Sequence, residues 1–175
     1  MTRSRVVPTR APALAAALVA LACGNAAGAE EKLTVSHASL STASALKVAQ
    51  AALADCTKKG YVVGVAVVDR GGAPLVVLRD NLAGAHTPTT AVGKAWTAVS
   101  FRSNTTDLLE MTGPGKPSAG IRSLPNVVML GGGLLIQAKG AMLGAVGVSG
   151  APGGHLDDEC GKAGIKAIQD SLELE

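Results

Sequence analysis

Gly144-Ala-Val-Gly-Val-Ser-Gly150 is the stretch that decides the fold of this chain. It is an apolar run of β-forming residues bounded by glycines, and Val65-Ala-Val-Val-Asp-Arg-Gly-Gly72 is a second run of the same kind. Nearly continuous β-branched and small apolar residues are typical of strands that are buried on both faces. Between the two runs lies Lys94-Ala-Trp-Thr-Ala98, within a segment whose apolar residues recur at helical spacing. The sequence therefore predicts two buried strands that are separated along the chain by a helix.

Further helices and strands surround this arrangement. Helical periodicity, with Ser39 or Ser41 as a cap and Gly60 as a stop, predicts a first helix, and Pro88 suits the first turn of a second one. The predicted helices are residues 39–58, 87–101, 105–111 and 155–172, and the predicted strands are residues 62–69, 74–80, 126–130, 134–138 and 141–149. This order predicts an α/β (α+β) layered sandwich, in which a five-stranded antiparallel sheet has helices packed against it.

In this order and at this spacing, the three opening segments resemble the GlcG/HbpS family, also described as the haem-degrading or haem-binding domain family. The resemblance extends from about Leu40 to Ile168. It implies a profilin-like sandwich. It also implies one of several functions, because HbpS-like members bind haem outside the cytoplasm and GlcG-type members are associated with glycolate metabolism. Similar domains are appended to some adenosyltransferases, which adds a corrinoid-related module as a third alternative.

The first 29 residues have the pattern of a secretory signal peptide. Arginines at the start are followed by an apolar stretch at residues 11–22 and by Ala27-Gly28-Ala29 at the expected cleavage position. The apolar stretch is shorter than the roughly 20 residues that a membrane-spanning helix needs. Cleavage would leave residues 30–175 as a single domain in the periplasm or outside the cell, although lipid attachment at Cys23 is an alternative. An exported location argues against the corrinoid module.

The net charge and the amino-acid composition limit which kinds of ligand or partner this chain can be expected to bind. The chain carries a formal net charge of +3, and the leader holds three arginines and no acidic residue, so the mature domain is close to neutral. Such a balance gives no indication of the clustered positive face that nucleic-acid binding needs, so we expect no nucleic-acid partner. The chain has one Tyr, one Trp and one Phe, so its core must consist of small aliphatic residues and glycine. We expect a large planar ligand to lie at an edge or between subunits, and a homo-oligomer that enlarges this small core.

Two cysteines remain once the leader is removed. Cys56 lies on the apolar stripe of the first predicted helix and Cys160 on that of the last. An even pair in an exported protein predicts a disulfide, with two buried thiols as the alternative. If the first and last helices pack side by side, the two sulfurs can meet.

His86 is the best single candidate for a ligand-binding residue. It lies in Ala83-Gly84-Ala85-His86-Thr87, beside a flexible glycine and just before the second helix. Its imidazole could bind a haem iron, carry a proton or hold a carboxylate; the alternative is a solvated loop histidine that helps to cap the helix. The histidines are too dispersed along the chain to favour a structural zinc site, but haem iron needs only one or two axial ligands. Other axial ligands stay open: Met111, Met129, Met142, a hydroxyl group or water.

Asp69, Arg70 and Lys94 form a second group of candidates. Arg70 or Lys94 could bind the carboxylate of a haem propionate or of a small organic acid. The alternative for Asp69 and Arg70 is that they stabilise a hairpin turn by hydrogen bonds. Lys94 falls within an apolar helical stretch, so its amine must reach the rim of the domain or an acidic side chain. The two functions that follow are haem (tetrapyrrole) binding and, as the alternative, binding or conversion of a small organic acid at Arg70, Lys94 and His86.

The glycine-rich step at residues 144–154 does not predict a phosphate site. Its spacing is G-x-x-G-x-x-G, without the tight first G-x-G of dinucleotide-binding turns. Asp157, Asp158 and Glu159 in the first turn of the following helix would repel a phosphate. We interpret the glycines as places where strand and helix pack closely, and the acids beside His155 as surface residues.

Overall fold

Two antiparallel hairpins form one sheet in this computed structural model, which describes residues 32–174. The strands are β1 (Gly64–Asp69), β2 (Pro74–Arg79), β3 (Gly133–Ala138) and β4 (Ala141–Ser149), in the spatial order β2-β1-β4-β3. The two glycine-bounded runs are therefore the central strands, and they pair antiparallel, with Val65 opposite Val148. Both are buried along nearly their whole length, as their apolar composition predicts.

Helices cover both faces of the sheet. They are α1 (Thr42–Lys58), α2 (Thr87–Phe101), α3 (Thr105–Met111) and α4 (Gly154–Leu174), with a short 3₁₀ helix at Ala119–Ser123. The helices α1 and α4 pack on each other and on one face, where Val65 and Val67 contribute to the core. Helix α2 lies on the other face against Val68 and Ala145. The α+β layering predicted from the sequence is thus present, and helix α1 begins at Thr42 behind its cap Ser41.

The prediction of a fifth strand at residues 126–130 is wrong, because the sheet has four strands. Asn126 adopts a left-handed backbone conformation with φ 65°, which breaks an extended run. The Val128 N–H donates to the Thr97 hydroxyl of α2 at 2.9 Å, and the Val127 N–H to the Leu124 carbonyl at 3.4 Å. Because these backbone groups bond to a helix and a turn, no neighbouring strand is needed to satisfy them.

Helix α2 packs directly on the backbone of the sheet because glycines face it. A Cβ atom at Gly147 would overlap the Ala91 carbonyl oxygen, and one at Gly133 would overlap the Lys94 carbonyl oxygen. In both places backbone packs on backbone, which agrees with the interpretation of the β4 glycines as close-packing sites. This approach places the Lys94 side chain beneath the end of β4.

A disulfide joins the two helices on the opposite face. Cys56 of α1 and Cys160 of α4 have Cα atoms 5.4 Å apart, and both residues are fully buried. This separation is within the roughly 7 Å that a disulfide can span. The bond fixes α4, whose first turn reaches the cavity described below, to the last turn of α1.

The residues from Ser36 onward form one compact unit. The predicted signal peptide at residues 1–29, including Cys23, lies outside the described residues. Within residues 32–174, no helix combines the length and the apolar character needed to cross a membrane.

Candidate functional site

A cavity of about 520 Å³ opens beyond the end of β4. The starts of helices α2 and α4 meet there, together with one side of α3 and the glycine-rich loops that precede β3 and follow β4. Charged, imidazole and hydroxyl side chains form the polar part of its lining together with the backbone of the glycine-rich loops, and aliphatic side chains form the apolar part. The lining residues are His86, Lys94, Thr106, Leu109, Met129, Leu130, Gly131, Ser149, Gly150, Ala151, Pro152, Gly153, Gly154, His155 and Asp157.

Two histidines enter this cavity in the same local arrangement. His86 is the residue that precedes α2, and His155 is in the first turn of α4. Each imidazole lies over the glycine two positions earlier: a Cβ at Gly84 would be 2.7 Å from the His86 Cε1 atom, and one at Gly153 would be 2.8 Å from the His155 Cε1 atom. Both Gly-x-His segments therefore use the missing side chain of glycine as a seat for the ring.

The His86 side chain is exposed and makes no capping hydrogen bond to α2. Its carbonyl, by contrast, accepts hydrogen bonds from the Thr90 N–H and the Thr90 hydroxyl, so the backbone at this position is fixed. The imidazole therefore does not cap the helix, although its exposure agrees with the alternative of a solvated loop histidine. An imidazole nitrogen that is left without this bond can ligate a metal, exchange a proton or bind an acid.

Lys94 forms a buried ion pair on the cavity floor. Its Nζ atom lies 2.8 Å from the Asp157 Oδ2 atom and donates a second hydrogen bond of 2.8 Å to the Val148 carbonyl. Both side chains are almost completely shielded from solvent. Burial raises the pKa of the Asp157 carboxyl, against the opposing effect of the Lys94 ammonium and of the Ala151 N–H. Lys94 thus reaches an acid, as its apolar surroundings require.

The interpretation of the acids beside His155 as surface residues is wrong for two of them. Asp157 is 3% exposed and Asp158 is 6% exposed. Asp158 accepts a hydrogen bond of 2.7 Å from the Gly132 N–H and one of 2.5 Å from the Thr106 hydroxyl. Adjacent acids in the first turn of a helix that follows a glycine-rich loop were the available signal, since such acids often bind loop N–H groups. His155 and Asp157 line the cavity, and Asp158 holds the first turn of α4 beside it; none of the three is among the site residues predicted from the sequence.

Asp69 and Arg70 lie elsewhere. In the β1–β4 pairing, Gly64 at the start of β1 is opposite Ser149, which lines the cavity. Asp69, at the other end of β1, is opposite Gly144. At about 3.4 Å per residue, this separates Asp69 from the cavity by roughly 17 Å. The Asp69 carboxylate accepts hydrogen bonds from the Gly71 and Ala73 N–H groups, at 2.8 and 2.9 Å. The structure therefore brings His86 and Lys94 together but not Asp69 or Arg70, and it gives Asp69 the turn-stabilising role.

Of the methionines considered as axial ligands, Met129 lines the cavity, and Met111 and Met142 do not. Across the residues that the structure describes, no three His, Cys, Asp or Glu side chains cluster in a way that could hold a metal ion by themselves. The cavity therefore presents two imidazoles, apolar walls and two helix N-termini to a ligand. Below them, the charges of Lys94 and Asp157 neutralise each other.

Known proteins share this fold and much of this sequence. HbpS from Streptomyces reticuli, solved as a double mutant, is 34% identical, with 92% of this chain and 99% of that chain covered and a TM-score of 0.72. The structure of a PduOC:haem complex is 30% identical, covers 74% of this chain and 95% of that chain, and has a TM-score of 0.70. An uncharacterised 15.0 kDa protein of Citrobacter freundii is 34% identical over 65% of this chain and 81% of its own length.

The family model described as "Haem degrading protein HbpS-like" matches residues 40–166, which is most of the chain and includes all four strands, both cavity histidines and both disulfide cysteines. With this match and the relatives above, the chain belongs to the HbpS-like family of haem degrading proteins.

Proposed function

We propose that this protein binds haem, or a related tetrapyrrole, in the cavity beyond β4, as part of haem sequestration, degradation or sensing outside the cytoplasm. The observation that carries the proposal is the convergence of His86 and His155 on one cavity with apolar walls. Membership of the HbpS-like family supports it, as does similarity to a protein that was solved in complex with haem.

The residues present fit such a group. His86 and His155 each offer an imidazole nitrogen, the most common type of protein ligand to haem iron. Leu109, Leu130 and Pro152 supply apolar surface for the macrocycle. Bound haem would supply iron-centred redox and ligand-exchange chemistry. Because the Lys94 ammonium is already paired with Asp157, the positive end of the α2 dipole, where the first turn carries no acid, is left to favour the propionates.

A haemin titration followed by visible absorption tests this proposal. We expect a sharp Soret band that saturates at one haemin per chain in the wild type. His86→Ala and His155→Ala should each weaken binding by at least about tenfold, equivalent to about 1.4 kcal/mol, and the double variant should lose the band. His37→Ala is the matched control, because His37 is exposed and does not line the cavity.

If the double variant binds haemin as tightly as the wild type, the histidines are not the ligands and the proposal is wrong. All the variants should stay folded, because both imidazoles are exposed and contribute little to the core. Circular dichroism of each variant checks this point.

A small organic acid of the glycolate type is the second candidate ligand. Helix α2 begins at the cavity with no acid in its first turn, and the positive end of its dipole favours a carboxylate there. Arg70, which the sequence suggested for this purpose, lies outside the cavity. Calorimetric binding of glycolate that is abolished in the double histidine variant, together with no Soret band in the wild type, would favour this candidate over haem.

The proposed site of action is the periplasm or the extracellular space. The leader pattern at residues 1–29 and the Cys56–Cys160 disulfide support export, because disulfides persist in oxidising compartments. The intact mass of protein from the exported fraction should correspond to a chain that begins at Glu30. A chain that retains the leader, or that begins at a lipid-modified Cys23, would contradict this expectation.

A further inference from the structure

We infer that Lys94 and Asp157 act as a positioning pair that sets the place of His155 in the cavity. The pair's own contacts carry this inference, and only its ligand-binding consequence rests on the proposed function. Both residues are in effect inaccessible to water, and Lys94 is the largest fully buried side chain among the described residues. A buried ion pair is a poor source of stability, because apolar side chains of the same volume often serve as well. Its location at the cavity floor therefore suggests another role.

The hydrogen bonds of the pair connect the parts that carry His155. Lys94 donates to the Val148 carbonyl near the end of β4, and Asp157 Oδ1 accepts from the Ala151 N–H at 3.0 Å. The loop between β4 and α4 is thereby held at both ends. Gly153, the seat of the His155 ring, lies within this loop, and Asp157 follows His155 by two positions.

Glycine contacts tighten the same region. A Cβ at Gly132 would be 2.9 Å from the Lys94 Nζ atom and 2.8 Å from the Asp157 Cβ atom, and one at Gly154 would be 2.8 Å from the Gly131 Cα atom. The residue before His155 thus packs on the loop that precedes β3. If the ion pair is lost, the first turn of α4 keeps the hydrogen bonds of Asp158 to Gly132 and Thr106 but loses its connection to α2 and β4. We expect the turn to shift about the bonds that remain, and the His155 ring to shift with it.

His86 is held independently. Its backbone position depends on hydrogen bonds to Thr90 and on the Gly84–Thr87 turn, in which the Thr87 N–H donates to the Gly84 carbonyl at 2.9 Å. None of these bonds involves Lys94 or Asp157. The structure therefore predicts an asymmetric effect: removal of the pair should displace the His155 imidazole and leave the His86 imidazole in place.

Imidazole NMR of the ligand-free protein tests this prediction. In Lys94→Met/Asp157→Leu, which removes both charges and keeps apolar volume, we expect shifted and broadened His155 side-chain resonances and unchanged His86 resonances. Asp157→Asn is the second variant, since it preserves shape and should move the His155 resonances less but in the same sense. Lys59→Met is the matched control, because Lys59 also pairs with a residue of α4, Glu159, but at an exposed site.

A folded double variant, or a folded Asp157→Asn protein, with wild-type His155 resonances would overturn the inference and leave the pair a purely structural role. In the haemin titration, the double variant should bind at least about tenfold more weakly and with an altered Soret band, while Lys59→Met binds as the wild type does. If the wild type does not bind haemin, the proposed function fails, but the NMR result still decides whether the pair positions His155.

Discussion

The glycine two positions before each cavity histidine determines where the imidazole can lie. At Gly153, the three atoms nearest to an added Cβ atom all belong to the His155 ring, with Cε1 at 2.8 Å, so a methyl group would displace the ring and not the backbone. We expect Gly153→Ala to weaken haemin binding by about tenfold with little loss of stability. The haemin titration and a denaturant titration measure the two effects. Gly120→Ala is the control, because nothing lies within 4 Å of the position that its methyl group would take.

Asp157 links the cavity floor to pH. Burial raises the pKa of its carboxyl, so this carboxyl takes up a proton at a higher pH in the folded protein than in the unfolded chain, where the pKa of aspartate is about 3.9. The contribution of this carboxyl to the free energy of unfolding is therefore fully present below the pKa that it has in the unfolded chain. It is lost as the pH rises through the higher pKa that it has in the folded protein. The unfolding free energy of the wild type, relative to Asp157→Asn, should therefore increase from about pH 7 to about pH 4.5. Denaturant titrations at both pH values measure the difference, and a decrease would contradict the prediction.

At this scale, the sequence predicted that the Lys94 amine would reach an acid or the rim, but not which acid. Asp157 lies 63 positions further along the chain. An acid in the first turn of a helix usually faces water, and only the fold decides that β4 and α2 cover this one. His86 is predictable because its loop and the helix start beside it are local features of the sequence. That the His155 ring lies over Gly153 as the His86 ring lies over Gly84 is visible only in the structure.

Helix α2 and strand β4 are in backbone contact at Gly147. Because a Cβ there would overlap the Ala91 carbonyl oxygen, neither side can yield without moving the helix. We expect Gly147→Ala to lower the unfolding free energy by about 3 kcal/mol, at the upper end of overpacking effects. Urea titration measures this loss. A value within about 0.5 kcal/mol of the wild type, as expected for exposed positions, would contradict it.

Helices α1 and α4 are joined covalently. The Cys56–Cys160 disulfide closes a loop with a sequence separation of 104 residues, which contains all four strands. We expect Cys56→Ala/Cys160→Ala to lose about 2–5 kcal/mol of stability, because the unfolded chain regains the freedom that the cross-link removed. Denaturant titration of this variant checks the loss. Full thiol labelling of the unfolded wild type without reductant would show instead that the bond is absent.

Element by element, the buried strands and the long helices were predictable, because β-branched runs and apolar stripes are local patterns. The apolar segment at residues 126–130 has the same composition as a short strand. What distinguishes it is a hydrogen bond from the Val128 N–H to the Thr97 side chain, which belongs to another part of the chain. Strand propensity cannot reveal such a bond, which is why the prediction of a fifth strand is wrong.

The molecule as a whole leaves several large apolar side chains in contact with water. Leu82 is 82% exposed and Val77, on the edge strand β2, is 43% exposed. A small domain that exposes such residues gains buried surface by self-association. We therefore expect a homo-oligomer, with a mass by multi-angle light scattering at micromolar concentration that is a multiple of the chain mass. A monomer mass alone would contradict this expectation.

The cavity exists only in the native chain, because the sheet brings together two helix starts that are distant in sequence. A ligand held by both His86 and His155 would bind the folded form and not the unfolded one. By mass action, a free concentration of one hundred times Kd would add about 2.7 kcal/mol to the stability. Loss of the ligand would then make the chain easier to unfold and easier for proteases to degrade, so that the amount of protein would follow the supply of its ligand.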